Sequence, residues 1–195
     1  MTPAVPEAVA DDTTVRQALR AALPTVWSER PDLIGHDVCE RTVVGAPAIA
    51  LASLVAEWNQ GWRVDVEYNR WHPDGLEEVR QKFLPDFQTG ERERLVLPDL
   101  IVHHPGHDGP EHNLLVLEAK KGGISPRARE RDYRKLTGFL SVFQYRQAVF
   151  LEFDGRGGTP RLQWFAVDGP AADPAMSPGD SAGGMSRSRA DDSNM

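Results

Sequence analysis

The sequence has almost no cysteine and no long hydrophobic run, and these absences exclude several classes of protein. Cys39 is the only cysteine among 195 residues, so no disulfide can form within the chain and a reducing, cytoplasmic location is expected. The longest run of small and apolar residues, 43–56, is too short to span a bilayer and contains Pro47. The first residues, MTPAVPEAVADD, lack the features of a signal peptide. We therefore expect no association with a membrane.

Lysine is also scarce in this chain. Of 22 basic residues only four are lysine, at positions 82, 120, 121 and 135, and the others are arginine. Arginine is thus the default cation, so a lysine at the end of a buried strand indicates a specific role.

The acidic charge is concentrated at the two ends of the chain. The net charge is −7, to which residues 1–12 and residues 168–195 contribute −3 each, so the remainder is close to neutral. Within that remainder, residues 120–135 hold seven basic side chains against two acidic ones, a local charge of +5. This pattern predicts a basic surface on a nearly neutral body.

Composition divides the chain into one domain with two polar ends. Residues 1–12 and 168–195 are rich in small, polar and proline residues and are predicted to be disordered. Residues 13–167 are predicted to form a single domain.

Hydrophobic spacing predicts an α/β (α+β) fold with a central mixed sheet of four or five strands flanked by helices. The element order is α-β-β-β-α-β-β, after a short first helix. Helices are predicted at 14–23, at 38–58 with a bend or break at Pro47, and at 126–141; strands at 62–68, 95–103, 113–120, 148–153 and 162–167. The polar stretch 75–94 is predicted to hold a short helix or loop.

Two predicted strands carry charges where buried strands have none. Asp99 follows Pro98 at the start of one strand, and Glu118 and Lys120 lie at the end of the next. If these strands form a hairpin, antiparallel pairing brings Asp99 and Glu118 side by side. Two adjacent carboxylates favour a cation between them, and Mg²⁺ is the hard ion that such ligands bind together with phosphate.

These residues resemble the signature of the PD-(D/E)xK nuclease superfamily. Pro98-Asp99, then eighteen residues, then Glu118-Ala119-Lys120 on a strand match its pattern. The resemblance implies a restriction-endonuclease-like core, built from a helix, three strands, a helix and a further strand, which corresponds to residues 38–153. It also implies a glutamate in the first core helix, and Glu40 is the residue that matches.

The function implied by the resemblance is a metal-dependent phosphodiesterase that cuts nucleic acid, with DNA favoured. Asp99, Glu118 and Glu40 would bind Mg²⁺ or Mn²⁺, and Lys120 would position the attacking water. The metal would stabilise charge on the phosphate and lower the pKa of the water.

Glu40 has a second interpretation. Asp37 and Glu40 have the spacing of a capping box, in which the glutamate bonds back to the backbone at the start of its helix. The sequence leaves both interpretations open.

A cluster of four histidines, His103, His104, His107 and His112, raises the hypothesis of a zinc site. Their spacing fits no common set of zinc ligands and no cysteine accompanies them. We therefore expect them to be polar loop residues.

The arginine-rich helix at 126–141 is predicted to begin at Pro126, with Ser125 as its N-cap. Such a helix is usually a solvated face, but its position directly after the carboxylates favours contact with phosphates. Candidate nucleic-acid contacts are Arg70, Lys121, Arg127 and Arg131.

Two other functions are compatible with the sequence. The first is a nuclease-like domain that binds nucleic acid or a protein partner without cutting. The second is an interaction module that uses a tryptophan-rich surface and the acidic tail. No recognition domain accompanies the predicted nuclease core, so a homodimer or a partner protein would have to supply specificity.

Overall fold

The computed structural model describes residues 11–35, 38–71, 80–82, 84, 96–153 and 160–171. Within these residues the chain forms five helices and eight strands. The helices are α1 (Asp12–Ala22), α2 (Pro24–Glu29), α3 (Asp32–Gly35), α4 (Glu40–Ala56) and α5 (Pro126–Val142). The strands are β1 (Arg63–Val66), β2 (Arg70–Trp71), β3 (Arg80–Gln81), β4 (Leu100–His103), β5 (Asn113–Lys121), β6 (Gln147–Phe153), β7 (Arg161–Ala166) and β8 (Gly169–Pro170).

The main sheet has the strand order β1-β4-β5-β6-β7-β8 and is mixed, which confirms the α/β class. Every pair in it is antiparallel except β5 and β6, which run parallel and are joined through α5. The sheet has six strands rather than the predicted four or five, because β8 pairs with the end of β7. The described chain therefore continues in the sheet beyond residue 168, where the disordered tail was expected to begin.

Helices cover both faces of this sheet. On one face α1 and α4 pack Val15, Leu19, Val44 and Leu51 against Leu117 and other residues of the sheet. On the other face α5 packs Leu136 and Phe139 against Val116 and Phe150. The central strands β4 and β5 are consequently buried from both sides, as their continuous apolar sequences predict.

A bulge in β5 changes which face one of its leucines occupies. Val102 pairs with Leu115, but the next residue, His103, pairs with Asn113, so Leu114 is an extra residue in β5. Regular alternation of side chains along a strand would put Leu114 on the same face as Val116. Because of the bulge, Leu114 packs in the core beneath α1 and α4 instead.

Several element boundaries differ from the predictions for local reasons. The first strand ends at Val66 because Glu67 has a positive φ of 54°, and β4 begins only at Leu100, after Pro98. Helix α4 continues through Pro47, so the predicted break does not occur. Part of the stretch 75–94 is strand, since Arg80–Gln81 pairs with Arg70–Trp71.

The first helix begins earlier than predicted, whereas no described helix has the features of a membrane span. Helix α1 begins at Asp12 with Asp11 as its N-cap, so the end of the segment 1–12 is helical rather than disordered. No helix within the described ranges is long and apolar enough to cross a membrane.

The predicted start of α5 is confirmed. Ser125 is the N-cap and accepts a hydrogen bond from Ala128 N–H at 3.2 Å, and Pro126 is the first helical residue. This cap satisfies one of the amides that a helix leaves without a backbone partner.

We expect Ser125→Ala to lower the free energy of unfolding by about 1 kcal/mol, because it removes this cap. Urea denaturation followed by circular dichroism measures the change. Ser141→Ala, an exposed position in the last turn of the same helix, is the control and should change stability by less than about 0.5 kcal/mol. Equal effects of the two substitutions would contradict the capping role.

Candidate active site

Asp99 lies directly before β4 and faces the end of β5. Its Oδ2 accepts a hydrogen bond of 2.8 Å from the backbone N–H of Ala119. Leu100 pairs with Leu117, so the antiparallel register brings Asp99 beside Glu118, as the hairpin prediction required. Burial raises the pKa of Asp99, although the Ala119 amide and the charges of Lys135 and Lys120 oppose that shift.

Glu118 is the most deeply buried acid of the site. Its exposed fraction is 1%, and Lys135 Nζ on α5 lies 2.7 Å from each of its carboxylate oxygens. Burial raises the pKa of Glu118 to about 8 despite the nearby charge of Lys135, and the negative charges of Asp99 and Asp132 add to the increase. A carboxylate in this environment favours either a proton or a further cation.

Lys120 links β5 to the first residue of α4. Its Nζ donates a hydrogen bond of 2.7 Å to Glu40 Oε2 and lies 3.8 Å from Asp132 Oδ2. Burial alone would lower the pKa of Lys120, but the hydrogen bond to Glu40 and the surrounding carboxylates together raise it. Lys120 is therefore a protonated hydrogen-bond donor.

The structure decides between the two interpretations of Glu40. Helix α4 has its N-cap at Cys39, two residues later than a capping box with Asp37 requires, and Asp37 itself lies outside the described residues. The Glu40 carboxylate instead accepts hydrogen bonds from Lys120 Nζ and, at 3.4 Å, from the backbone N–H of Lys121. The capping-box interpretation is therefore wrong, and Glu40 lies beside the predicted site residues.

Two site residues on α5 were not predicted from the sequence. Asp132 is 3% exposed and faces Lys120, while Lys135 pairs with Glu118. A signal for both was present, because Asp132, Lys135, Leu136 and Phe139 recur at helical spacing on one face of α5. The scarcity of lysine was a second signal, since Lys82 also has a specific partner, the hydroxyl of Tyr145 at 2.7 Å.

These six side chains form a cluster with excess negative charge, which we call the carboxylate cluster. Its members are Glu40, Asp99, Glu118, Lys120, Asp132 and Lys135. When all are ionised, four carboxylates face two ammonium groups, which leaves a charge of −2. The buried Oδ2 atom of Asp132 has no hydrogen-bond partner. Oxygen ligands with this excess charge fit Mg²⁺ or Mn²⁺.

The carboxylates are not arranged as a finished metal site. In the described parts of the chain, no three acidic, histidine or cysteine side chains are positioned to hold one ion together. Lys135 lies against the Glu118 oxygens and Lys120 against Glu40, so the two ammonium groups provide the positive charge that these acids require. Metal binding would therefore require these lysines to move.

The candidate nucleic-acid contacts separate into two locations. Lys121 ends β5 next to the carboxylate cluster, and Arg127 and Arg131 are exposed on α5. Arg131 also lies 3.8 Å from Asp132 Oδ1. Arg70 instead lines a narrow crevice with His103 and Lys82, beyond the opposite end of β4 from Asp99.

The histidines form local contacts rather than a metal site. His103 is a buried strand residue, not a loop residue, and its Nε2 lies 2.8 Å from Asp65 Oδ2. His104 stacks on Trp62 and contacts His112 through the two Nδ1 atoms at 3.0 Å.

The structure describes three of the five tryptophan side chains, and none of these three is exposed. Trp62 and Trp164 are 5% and 0% exposed and belong to the core, and Trp58 is half-buried against it. These three side chains are therefore not part of a tryptophan-rich binding surface, while Trp27 and Trp71 lie outside the described side chains.

Comparison with protein-family models, with curated proteins and with solved structures found no match to this chain.

The pKa of Glu118 predicts how stability depends on pH. The folded protein holds this proton more tightly than the unfolded chain, because the pKa rises from an ordinary 4.5 to about 8. The contribution to stability is fully present below pH 4.5 and is lost as the pH rises through 8. Glu118→Gln stays neutral, so its stability relative to the natural protein should increase between these pH values by at least about 1.4 kcal/mol, the equivalent of one pKa unit.

Urea denaturation in chelator, repeated across this pH range, measures the difference. Glu130→Gln, at an exposed position of α5, is the matched control and should follow the natural protein at every pH. A constant difference between Glu118→Gln and the natural protein would show that Glu118 does not titrate in this way.

Proposed function

We propose that this protein is a Mg²⁺- or Mn²⁺-dependent nuclease that hydrolyses phosphodiester bonds in nucleic acid, with DNA as the favoured substrate. The observation that carries this proposal is the position of Asp99, Glu118 and Lys120 together at the end of two buried strands. An acid in the core destabilises a fold, so its presence beside a second acid and a lysine points to chemistry.

The element order supports the same proposal. Helix α4, strands β1, β4 and β5, helix α5 and strand β6 occur in the order of the restriction-endonuclease-like core that the sequence resembles, with β2 and β3 inserted between β1 and β4. Strands β1, β4, β5 and β6 are neighbours in the sheet. We therefore propose that fold for the domain.

Asp99 and Glu118 are the residues that would hold the ion, with Glu40 as a further ligand. When bound, the ion would stabilise negative charge on the phosphate and lower the pKa of a water molecule. Because the pKa of Glu118 is about 8, a proton competes with the metal at this carboxylate near neutral pH.

Lys120 would position the attacking water. Its raised pKa keeps the ammonium charged, so it can donate a hydrogen bond to the water or to a phosphate oxygen but does not accept the proton. Glu40 fixes the direction of the ammonium through the 2.7 Å hydrogen bond and acts on the water through Lys120.

One observation favours a second candidate, a domain that binds nucleic acid without cutting it. Lys135 contacts both oxygens of Glu118 and thus supplies a cation where a metal would bind. In that case the cluster would serve only to fix α5 against the sheet, and added Mg²⁺ would not bind.

We expect the natural protein to cut DNA with Mg²⁺ or Mn²⁺ and to be inactive with chelator. Asp99→Asn, Glu118→Gln and Lys120→Met should each lower the rate by at least ~100-fold, because each removes a group needed at the reacting phosphate. Cleavage of plasmid, linear duplex, single-stranded DNA and RNA is the measurement. Glu130→Gln, outside the cluster on α5, is the control and should cut at the natural rate.

Two results would contradict the nuclease proposal. Equal weak cleavage by all variants would identify a contaminating enzyme. Binding of nucleic acid by the natural protein with neither cleavage nor uptake of Mg²⁺ in calorimetry would favour the domain that binds without cutting.

A double-mutant cycle separates the two roles of Glu40. If Glu40 acts by orienting Lys120, Glu40→Gln should slow cleavage less than Lys120→Met, and the double variant should be no slower than Lys120→Met alone. If Glu40 also binds the metal, the double variant should be slower than either single variant, and Glu40→Gln should weaken metal binding in calorimetry. Additive effects without any change in metal binding would contradict both roles.

A further inference from the structure

A cleft is lined by residues of α5, β6 and β7 together with Arg20 of α1. Its volume is about 520 Å³, within the range of sites that hold small ligands. Its charged and aromatic lining residues, here called the arginine cleft, are Arg20, Arg129, Tyr133, Phe150, Glu152 and Arg161. None of these residues belongs to the carboxylate cluster.

The cleft is basic in a chain that is acidic overall. Three arginines and one glutamate give it a charge of +2, against −7 for the whole chain. Glu152 pairs with Arg129 through two hydrogen bonds of 2.8 and 2.6 Å, which fixes the Arg129 guanidinium. Arg161 is exposed and is therefore the arginine that a ligand can reach directly.

The position of the cleft relates it to the carboxylate cluster. In the register of the sheet, Lys120 on β5 lies opposite Glu152 on β6, and Glu152 lies opposite Arg161 on β7. These three residues form one row on the same face of the sheet. Strands lie about 4.8 Å apart, so the backbone of Arg161 is about 10 Å from that of Lys120.

We infer that the arginine cleft is a phosphate-binding subsite for the nucleic-acid strand beside the phosphate that is cut. This inference rests on the proposed function and extends it. A separation of about 10 Å along the sheet means that the subsite would hold a phosphate close to the reacting one on the same strand. One guanidinium group can donate two parallel hydrogen bonds to the oxygens of one phosphate, which makes arginine suited to this contact.

Tyr133 provides a partly exposed ring in the cleft for the same strand, whereas Phe150 is only 1% exposed and supports that ring. Tyr133 is half-buried, and its ring packs edge-on against Phe150 at 5.1 Å between centroids. Aromatic walls beside a basic groove are typical of proteins that hold single strands, because every base or sugar has an apolar surface. We therefore expect a single strand, or the frayed end of a duplex, to bind more tightly than an intact duplex.

The test measures binding apart from cleavage. Fluorescence anisotropy with labelled single-stranded DNA is carried out on the Glu118→Gln protein in chelator, over a series of salt concentrations. Adding Arg161→Ala should weaken binding roughly threefold to tenfold and reduce the slope of log affinity against log salt by about 0.7, the value for one phosphate of a single strand. Arg161→Lys should restore part of the affinity.

Arg63→Ala is the matched control, since Arg63 is exposed on β1 at the other edge of the sheet. Equal affinities and salt slopes for Arg161→Ala and Arg63→Ala in folded proteins would overturn the inference. Inorganic phosphate or a mononucleotide that displaces the strand at equal concentration would also overturn it, because the cleft would then be a site for small anions.

Cleavage by the protein with Glu118 intact is measured separately. If Arg161→Ala weakens binding while the natural protein cuts nothing, the subsite stands and the proposed function fails. If the natural protein cuts and Arg161→Ala binds normally, the proposed function stands and the subsite fails.

Discussion

The burial of Glu118 at the end of the central strand is the constraint on which the site depends. A carboxylate with 1% exposure loses its hydration and must be compensated by a proton or by positive charge. Lys135 provides part of that compensation from α5, while Asp99 on the neighbouring strand adds to the negative charge. A leucine at position 118 would extend the apolar surface of β5 and avoid this cost. The fold thus keeps an arrangement that stability alone would not select, as functional sites often do.

The part of the site that follows from strand pairing could be predicted from the sequence. A short loop between two apolar segments predicts a hairpin, and antiparallel pairing then fixes Asp99 beside Glu118. The part contributed by helices was harder to predict. Lys135 reaches Glu118 only because α5 packs on the sheet in one particular rotation, which the long crossover from β5 to β6 does not determine by itself. The bulge at Leu114 could not be predicted, because residues 114–117 are all apolar and suit either face of the sheet with or without an extra residue.

The basic segment 120–135 does not form one continuous basic surface in the fold. The structure distributes its cations among different partners: Lys120 and Lys135 neutralise acids of the carboxylate cluster, and Arg129 pairs with Glu152. The positive charge of the arginine cleft comes instead from three separate segments, with Arg20 on α1, Arg129 on α5 and Arg161 on β7. No window of the sequence contains all three, so only the fold brings them together.

The two charged regions are complementary in a way that the net charge conceals. Residues 1–12 and 168–195 carry −6 of the total of −7, so the domain between them does not repel a phosphate backbone strongly. Within that domain, the carboxylate cluster carries −2 when Glu118 is ionised and then repels phosphate until a divalent ion neutralises it, whereas the arginine cleft at +2 attracts phosphate without a metal. A nucleic-acid strand would therefore be held first at the arginine cleft. The carboxylate cluster, two strands away in the same row of residues, would accept the reacting phosphate only together with its ion. The row of Lys120, Glu152 and Arg161 gives this order a structural basis, because it places the arginine cleft and the carboxylate cluster on one face of the same three strands.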